Sequence, residues 1–159
     1  MNRKPKGHSF GGSDYRLGAL ERLREAQLLL SQEHFAGSIY LAGRGVEGML
    51  RAVIWTNVPE IRQGRQSLET GHDLRHLLKL IRQAGLLHAA GRNDELWAAV
   101  QTVARLWRND LRFSSGRFVE TWWWSLAEVN KRRTFKRASR DFFEACSIVV
   151  KRCETLCRP

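Results

Sequence analysis

The residues best suited to chemistry lie in one arginine-rich stretch, RLWRNDLRFSSGRF, which runs from Arg105 to Phe118. Guanidinium groups bind phosphate oxygens through two parallel hydrogen bonds, and aromatic rings can stack on bases. Arg105, Arg108 and Arg112 are spaced three and four residues apart, so they share one face if the preceding helix continues through them. The stretch therefore predicts a phosphate-binding row, and the alternative is the solvated face of an amphipathic helix.

A second basic stretch, KRRTFKRASR, covers residues 131–140 and contains six basic residues and no acid. Such a run is either a solvated surface or a surface that contacts a nucleic-acid backbone with little sequence selectivity. The candidate nucleic-acid-binding residues of the two stretches are Arg105, Arg108, Arg112, Arg117, Lys131, Arg132, Arg133, Lys136 and Arg137.

The positive net charge of the chain favours anionic binding partners. The 159 residues carry 27 Lys and Arg against 16 Asp and Glu, which gives a formal net charge of +11 and a pI of about 10.6. Nucleic acid is the first partner that such a surface favours, and an acidic protein is the second. No apolar run approaches the about 20 residues of a membrane span. Three cysteines, all near the C-terminus, fit reduced thiols in a cytoplasmic protein.

The hydrophobic spacing is helical almost throughout and predicts an all-α bundle of about five helices. We expect a disordered basic arm over residues 1–13 and one domain over residues 14–159. The first helix should begin at a cap on Ser13 or Asp14 and reach about His34, with Leu17, Leu20 and Leu28 buried. The second should cover Phe35 to Thr56, and its glycines predict close packing of another helix.

The remaining elements follow from caps and breaks. Residues 57–71 are expected to form a loop, after which Thr70 caps a short helix that buries Leu74, Leu77, Leu78 and Ile81. Asn93 should cap the next helix, which carries Leu96, Val100, Val103, Trp107 and Leu111 on its buried face. The FSSG segment then breaks the pattern, and a final helical region is interrupted near NKRRT.

Three consecutive tryptophans, Trp122, Trp123 and Trp124, span about 200° of a helix, which is too wide an arc for one core to bury. We expect at least one of them to reach a second surface. A dimer interface is the favoured interpretation, because aromatic residues anchor interfaces, and base stacking is the alternative.

Several other polar residues have a structural interpretation. Glu47 lies on an apolar helix and needs a cationic partner, for which Arg51 and Arg108 are candidates. The pair His72 and Asp73 is consistent with helix capping. His76 follows His72 by one turn, but no acid or cysteine nearby completes a metal site, so we expect no metal and no cofactor. The thiols of Cys146, Cys153 and Cys157 are expected to lie in a buried seam.

The order of these motifs resembles the HEPN family (higher eukaryotes and prokaryotes nucleotide-binding). The motifs are Glu47, Leu50, Arg51 and Ala52 in an E-x-x-L-R-A pattern, then GHDLRHLL with His72 and Asp73, then WRNDLRF, then a long C-terminal helical region. The resemblance implies a small helical bundle that dimerises and binds nucleotides or RNA. It also implies a possible nucleotidyltransferase-type protein partner and, in many members, metal-independent RNase activity in toxin–antitoxin systems.

The RNase members use an arginine, usually followed by a polar residue, and a histidine a few residues later. Arg108 and Asn109 match the beginning of that motif, whereas Phe113, Ser114 and Ser115 occupy the positions of its histidine. We therefore expect a noncatalytic or partner-regulated domain that binds RNA or a nucleotide. The alternatives are an RNase that uses Arg108, Asn109 and His72 in a dimeric site, and a protein-interaction or antitoxin module.

Overall fold

The computed structural model describes residues 10–64, 68, 71–86, 94–126 and 134–157, and these residues form an all-α fold, as predicted. The described residues contain no strand, and their elements are α1 Gly12–Ser31, α2 Phe35–Asn57, α3 Pro59–Arg62, α4 Leu74–Gln83, α5 Asp94–Leu106, a 3₁₀ helix Asn109–Phe113, α6 Gly116–Ser125 and α7 Phe135–Thr155. The number is close to the five helices expected. It is larger because the loop after α2 contains the single turn α3 and because the C-terminal region is divided into α6 and α7.

Helix α2 is the centre of the fold and packs against α1, α4 and α7. Helix α1 buries Ala19 and Ala26, and Leu20 packs against the core, but Leu17 and Leu28 are 52% and 64% exposed, so the predicted buried stripe is wrong for these two leucines. The reason is the close approach of the two helices, since a Cβ on Gly45 would lie 3.1 Å from the Ala19 carbonyl oxygen. The prediction that the glycines of α2 mark a close helix contact is confirmed.

The end of α5 is anchored to α2 by Trp107. Its indole fills the space that a side chain on Gly43 would need, and its Nε1 donates to the Tyr40 carbonyl at 3.2 Å. Trp107 and Leu111 are both buried, as their spacing predicted.

Helix α5 ends at Leu106, however, and does not continue to Leu111. Arg108 has an extended backbone, with φ −139° and ψ 147°, and the 3₁₀ helix follows it. The Leu106 carbonyl, which the ending helix leaves unpaired, accepts a hydrogen bond from Trp123 Nε1 at 3.1 Å. Arg105, Arg108 and Arg112 therefore do not share one helical face, and that prediction is wrong.

The helix starts also differ in detail. Helix α1 begins at Gly12, and Asp14 accepts a hydrogen bond from the Gly11 backbone N at 2.8 Å, so the predicted arm boundary at residue 13 is too late. Phe10 packs edge-on against Tyr15 with 4.7 Å between the ring centres. Residues 1–9 of the predicted arm lie outside the described residues.

Asp73 itself is the N-cap of α4 and accepts a hydrogen bond from the Arg75 backbone N at 2.9 Å. Thr70 and Asn93, the caps expected from the sequence, lie outside the described residues. The predicted breaks are confirmed, because Ser115 caps α6 and Thr134 caps α7 through their side chains. Among the described residues, none of the helices combines the length and the apolar character that a bilayer crossing requires.

Candidate functional site

A basic cleft lies between α4 and α5. Arg75, Lys79 and Arg82 follow one another at spacings of four and three, so they share one face of α4. The other face of the helix, with Leu74, Leu77, Leu78 and Ile81, is buried against the core. The amphipathic pattern of α4 thus presents three cations to solvent along one side of the cleft.

Helix α5 supplies the facing wall. Trp97, Gln101 and Arg105 are spaced four residues apart and line the cleft, which has a volume of about 530 Å³. The guanidinium of Arg82 lies 4.1 Å from the centre of the Trp97 ring, which is a cation–π contact between the two walls. The Trp97 side chain is partly exposed, so its ring is accessible from the cleft.

The electrostatics of this cleft favour an anion. Four of its lining residues are cationic, namely Arg75, Lys79, Arg82 and Arg105, and none of the lining residues that the structure describes is acidic. Guanidinium groups offer planar pairs of donors for phosphate oxygens, and the ammonium group of Lys79 adds a point charge. The combination of cations and an indole ring suits a phosphate that is linked to a flat ring.

A second, larger pocket of about 830 Å³ lies beside α1 and α2 and contains a buried ionic cluster. Glu47, almost fully buried, accepts hydrogen bonds from Arg51 Nε at 3.0 Å and from Arg44 Nη1 at 2.6 Å. His72 Nδ1 lies 2.9 Å from both Glu47 Oε1 and Arg44 Nη1. The expectation that Glu47 pairs with Arg51 is confirmed, and Arg108 does not take part.

Arg51 also ties this cluster to the loop before α4. Its Nη1 donates to the Leu68 carbonyl at 2.8 Å, and its Nη2 donates to the Gly71 carbonyl. These bonds satisfy a buried guanidinium on three sides. The family-motif residues Glu47, Arg51 and His72 therefore form one network, whereas Asp73 caps α4 next to it.

The 3₁₀ helix and the start of α6 carry the other predicted arginines. Arg108 pairs with Asp110 at 2.6 Å and lies 5.7 Å from the Trp122 ring centre. Arg112 lies 4.4 Å from the centre of the Phe113 ring, and Arg117 is exposed on α6. These arginines border the aromatic side chains of this segment, but they do not line the α4–α5 cleft. Of the predicted residues that the structure describes, Arg105 is the one that lines it.

Two predicted nucleic-acid-binding residues of α7, Lys136 and Arg137, contact acidic side chains. Lys136 forms an ion pair with Glu33, and Arg137 lies 3.5 Å from Asp141 on the same helix. The Lys136 contact lowers the pKa of the Glu33 carboxyl, through their hydrogen bond first and their charges second. Lys131, Arg132 and Arg133 lie outside the described residues.

The three tryptophans of α6 have different environments. Trp123 is fully buried and packs against Phe135 and Phe142, so its prediction as a dimer-interface residue is wrong. The helix places it on the core side, where its indole also satisfies the end of α5. Trp122 and Trp124 are only half-buried, so the prediction that part of this triplet reaches the surface is confirmed.

The three catalytic candidates have different partners among the described residues. Arg108 contacts Asp110 and Trp122, whereas His72 contacts Glu47 and Arg44. Asn109 has a buried side-chain oxygen with no hydrogen-bond partner in the described part of the chain. No contact in that part of the chain joins His72 to Arg108 or Asn109.

Cys146 and Cys153 are buried on α7, as predicted, whereas Cys157 follows the end of that helix and is partly buried. Burial raises the pKa of the Cys153 thiol to about 12 and that of Cys157 to about 11, and it raises the pKa of Cys146 well above its ordinary value. Buried neutral thiols are poor nucleophiles and poor ligands. Within residues 10–64, 71–86, 94–126 and 134–157, no group of three or more His, Cys, Asp or Glu side chains is arranged to hold a metal ion.

The sequence interpretation missed four residues of the α4–α5 cleft, Arg75, Lys79, Arg82 and Trp97. The signal of the three cations is present in RHLLKLIR, where they recur at helical spacing between buried apolar residues, whereas Trp97 lies outside that segment. Comparison of the chain with protein-family models, with curated proteins and with solved structures finds no match.

Proposed function

We propose that this chain is an HEPN-like helical domain that binds RNA or a nucleotide in the α4–α5 cleft without cleaving it. The observation that carries the proposal is the convergence of four cations and an accessible indole in a cleft whose described lining residues include no acid. Coulombic attraction between these cations and a phosphate favours binding of an anion in this cleft.

The two walls have complementary roles in this proposal. Arg75 and Lys79 on α4 and Arg105 on α5 bind phosphate oxygens from opposite sides. The Trp97 ring supports a base by stacking, which is tolerant of base identity. Arg82, held over that ring, joins the phosphate-binding and stacking groups in one place.

A noncatalytic role is supported by the composition of the cleft. Its lining consists of arginines, one lysine, one glutamine, one tryptophan and two aliphatic residues. Metal-free phosphodiester cleavage most often uses histidine, aspartate or glutamate for proton transfer, and the described residues of the lining include none of these three types. We therefore propose that this cleft binds RNA or a nucleotide and does not cleave it.

The experiment measures binding of a fluorescently labelled single-stranded RNA by anisotropy. We expect R82A/R105A to weaken binding by about 10-fold or more, because each lost phosphate contact costs about 1 kcal/mol or more. The matched control is R24A/R62A, which removes the same charge from exposed positions outside the cleft. It should change the affinity by only about 2-fold through long-range charge.

The rival expectations give different results in the same assay. Equal losses in the cleft variant and in the control would show nonspecific binding to a basic surface and would contradict the proposal. A larger loss in R112A/R117A would place the RNA on the 3₁₀ helix and α6 instead. RNA shortened without added metal, with the effect lost in R108A, would support the RNase alternative.

We also propose that the chain forms a homodimer and that the half-buried Trp122 and Trp124 of α6 lie in its interface. The test is sedimentation velocity of the wild-type protein and of W122A/W124A. A dimer that becomes a monomer in the variant would support α6 as the interface. A monomeric wild-type protein would contradict it.

A further inference from the structure

The pocket beside α1 and α2 contains polar groups that the protein itself leaves unused. Arg44 uses only Nη1 in its contacts with Glu47 and His72, so its Nε and Nη2 have no partner among the described residues. The hydroxyls of Tyr15 and Tyr40, which line the same pocket, also have no hydrogen-bond partner there. These groups are donors, and donors that face one pocket indicate an acceptor-rich ligand.

The cluster beneath these donors has an excess of positive charge. Two guanidinium groups, of Arg44 and Arg51, face the single carboxylate of Glu47, so the cluster carries one net positive charge when His72 is neutral. Glu47 and Arg51 are buried and fix the position of the cluster, whereas the Arg44 side chain is about one-third exposed. The exposed edge of Arg44 is therefore preorganised for a planar pair of oxygen atoms.

The rest of the pocket lining is mainly apolar and aromatic, and it also contains one acid, Asp14, which accepts a hydrogen bond from the Gly11 backbone N, and one further cation, Arg22, which pairs with Glu25. Phe10 and Tyr15 form an edge-on pair beside it, and Gly18 and Ala19 form part of its wall. A Cβ placed on Gly18 would meet nothing within 4 Å, so the space next to this position is open. A flat ring of a ligand can occupy such a space and pack against the tyrosines.

From these observations we propose that the pocket beside α1 and α2 binds a phosphate monoester carried on an aromatic body, with the phosphate on Arg44 and the ring against Tyr15. A phosphate monoester suits the site better than a carboxylate, because it offers three acceptor oxygens and more negative charge to the Arg44 guanidinium and the tyrosine hydroxyls that line the pocket. The proposal does not depend on RNA binding in the α4–α5 cleft, since the two pockets share no lining residue.

The experiment is a titration of the full chain with phenyl phosphate, followed by backbone NMR shifts. We expect saturable binding with a Kd on the order of 1 mM or tighter, given the small size of the probe. The shifts should be confined to α1, α2 and residues 71–72. Absence of saturation, or shifts confined to α4 and α5, would overturn the proposal, and so would benzoate binding as tightly as phenyl phosphate.

Three variants test the location of the site. R44Q should weaken phenyl phosphate binding by about 10-fold or more, because the bidentate donor is lost. G18F should also abolish binding by filling the open space, and it should fold because its Cβ meets no neighbour. G18A makes the same backbone change without filling the pocket and should bind as the wild type does. Wild-type affinity in G18F, or in R44Q, would overturn the assignment.

Discussion

The guanidinium of Arg82 lies 4.1 Å from the centre of the Trp97 ring, and this contact joins the two walls of the basic cleft. We predict that W97L weakens RNA binding by about 1–3 kcal/mol, because the stacking surface for a base is lost. W97F keeps a smaller ring and should retain part of the affinity. Fluorescence anisotropy with a labelled single strand measures both variants. Unchanged affinity in W97L would show that no base stacks in the cleft.

The close contact of Gly43 with Trp107 predicts a strong effect of a small substitution. In G43A the new methyl group would overlap the buried indole, and we expect a loss of about 1–3 kcal/mol in the free energy of unfolding. G18A is the matched control, since the same methyl group lies in open space within α1 and should stabilise the fold by about 0.5–1 kcal/mol. Urea unfolding of the two variants checks the difference, and equal stabilities would contradict the packing described for Trp107.

Arg51 joins the buried ionic cluster to the loop before α4, and this role predicts a large effect on stability. R51A removes the bonds to Glu47, Leu68 and Gly71, and we expect the free energy of unfolding to fall by about 3–5 kcal/mol, as for a broken buried ion pair. R51K keeps the charge but cannot reach all three partners, so it should lie between R51A and the wild type. Denaturant unfolding gives the order of the three proteins. A loss below about 1 kcal/mol in R51A would contradict a structural role for this guanidinium.

The fold class, the core faces of α4 and α5 and the Glu47–Arg51 pair could be predicted from the sequence, because each depends on spacing within one helix or on the cost of burying a charge. The position at which α5 ends could not be predicted from the sequence. It depends on Trp123, which is 17 residues further along the chain and donates a hydrogen bond to the Leu106 carbonyl only after the fold has formed. The cations of α4 could have been found from their spacing in RHLLKLIR, but their pairing with Trp97 of α5 appears only in the folded chain, where Arg82 and Trp97 lie together.

Cys153 predicts a dependence of stability on alkaline pH. Its pKa is about 12 in the folded protein, because of burial first and the neighbouring Cys157 second, and its ordinary value is 9.0. Between pH 9 and pH 12 the Cys153 thiol keeps its proton in the folded chain but has lost it in the unfolded chain. The contribution of this thiol to the free energy of unfolding is therefore complete below about pH 9 and is lost as the pH rises toward 12.

One such proton lowers the free energy of unfolding by about 1.4 kcal/mol for each pH unit in this range. We expect the free energy of unfolding of the wild type to fall more steeply between pH 9 and 11 than that of C153A. Urea titrations at three pH values provide the comparison. Parallel curves for the two proteins would contradict the assignment of this slope to Cys153.

Photocrosslinking of a single-stranded RNA that contains 4-thiouridine tests the central proposal most directly, because it identifies the residues that a base touches. We predict that mass spectrometry finds the crosslinked nucleotide on the peptide that carries Trp97, and that R82A/R105A removes this crosslink whereas R24A/R62A does not. Crosslinks confined to Phe113, Phe118 or Trp122 would contradict binding in the α4–α5 cleft.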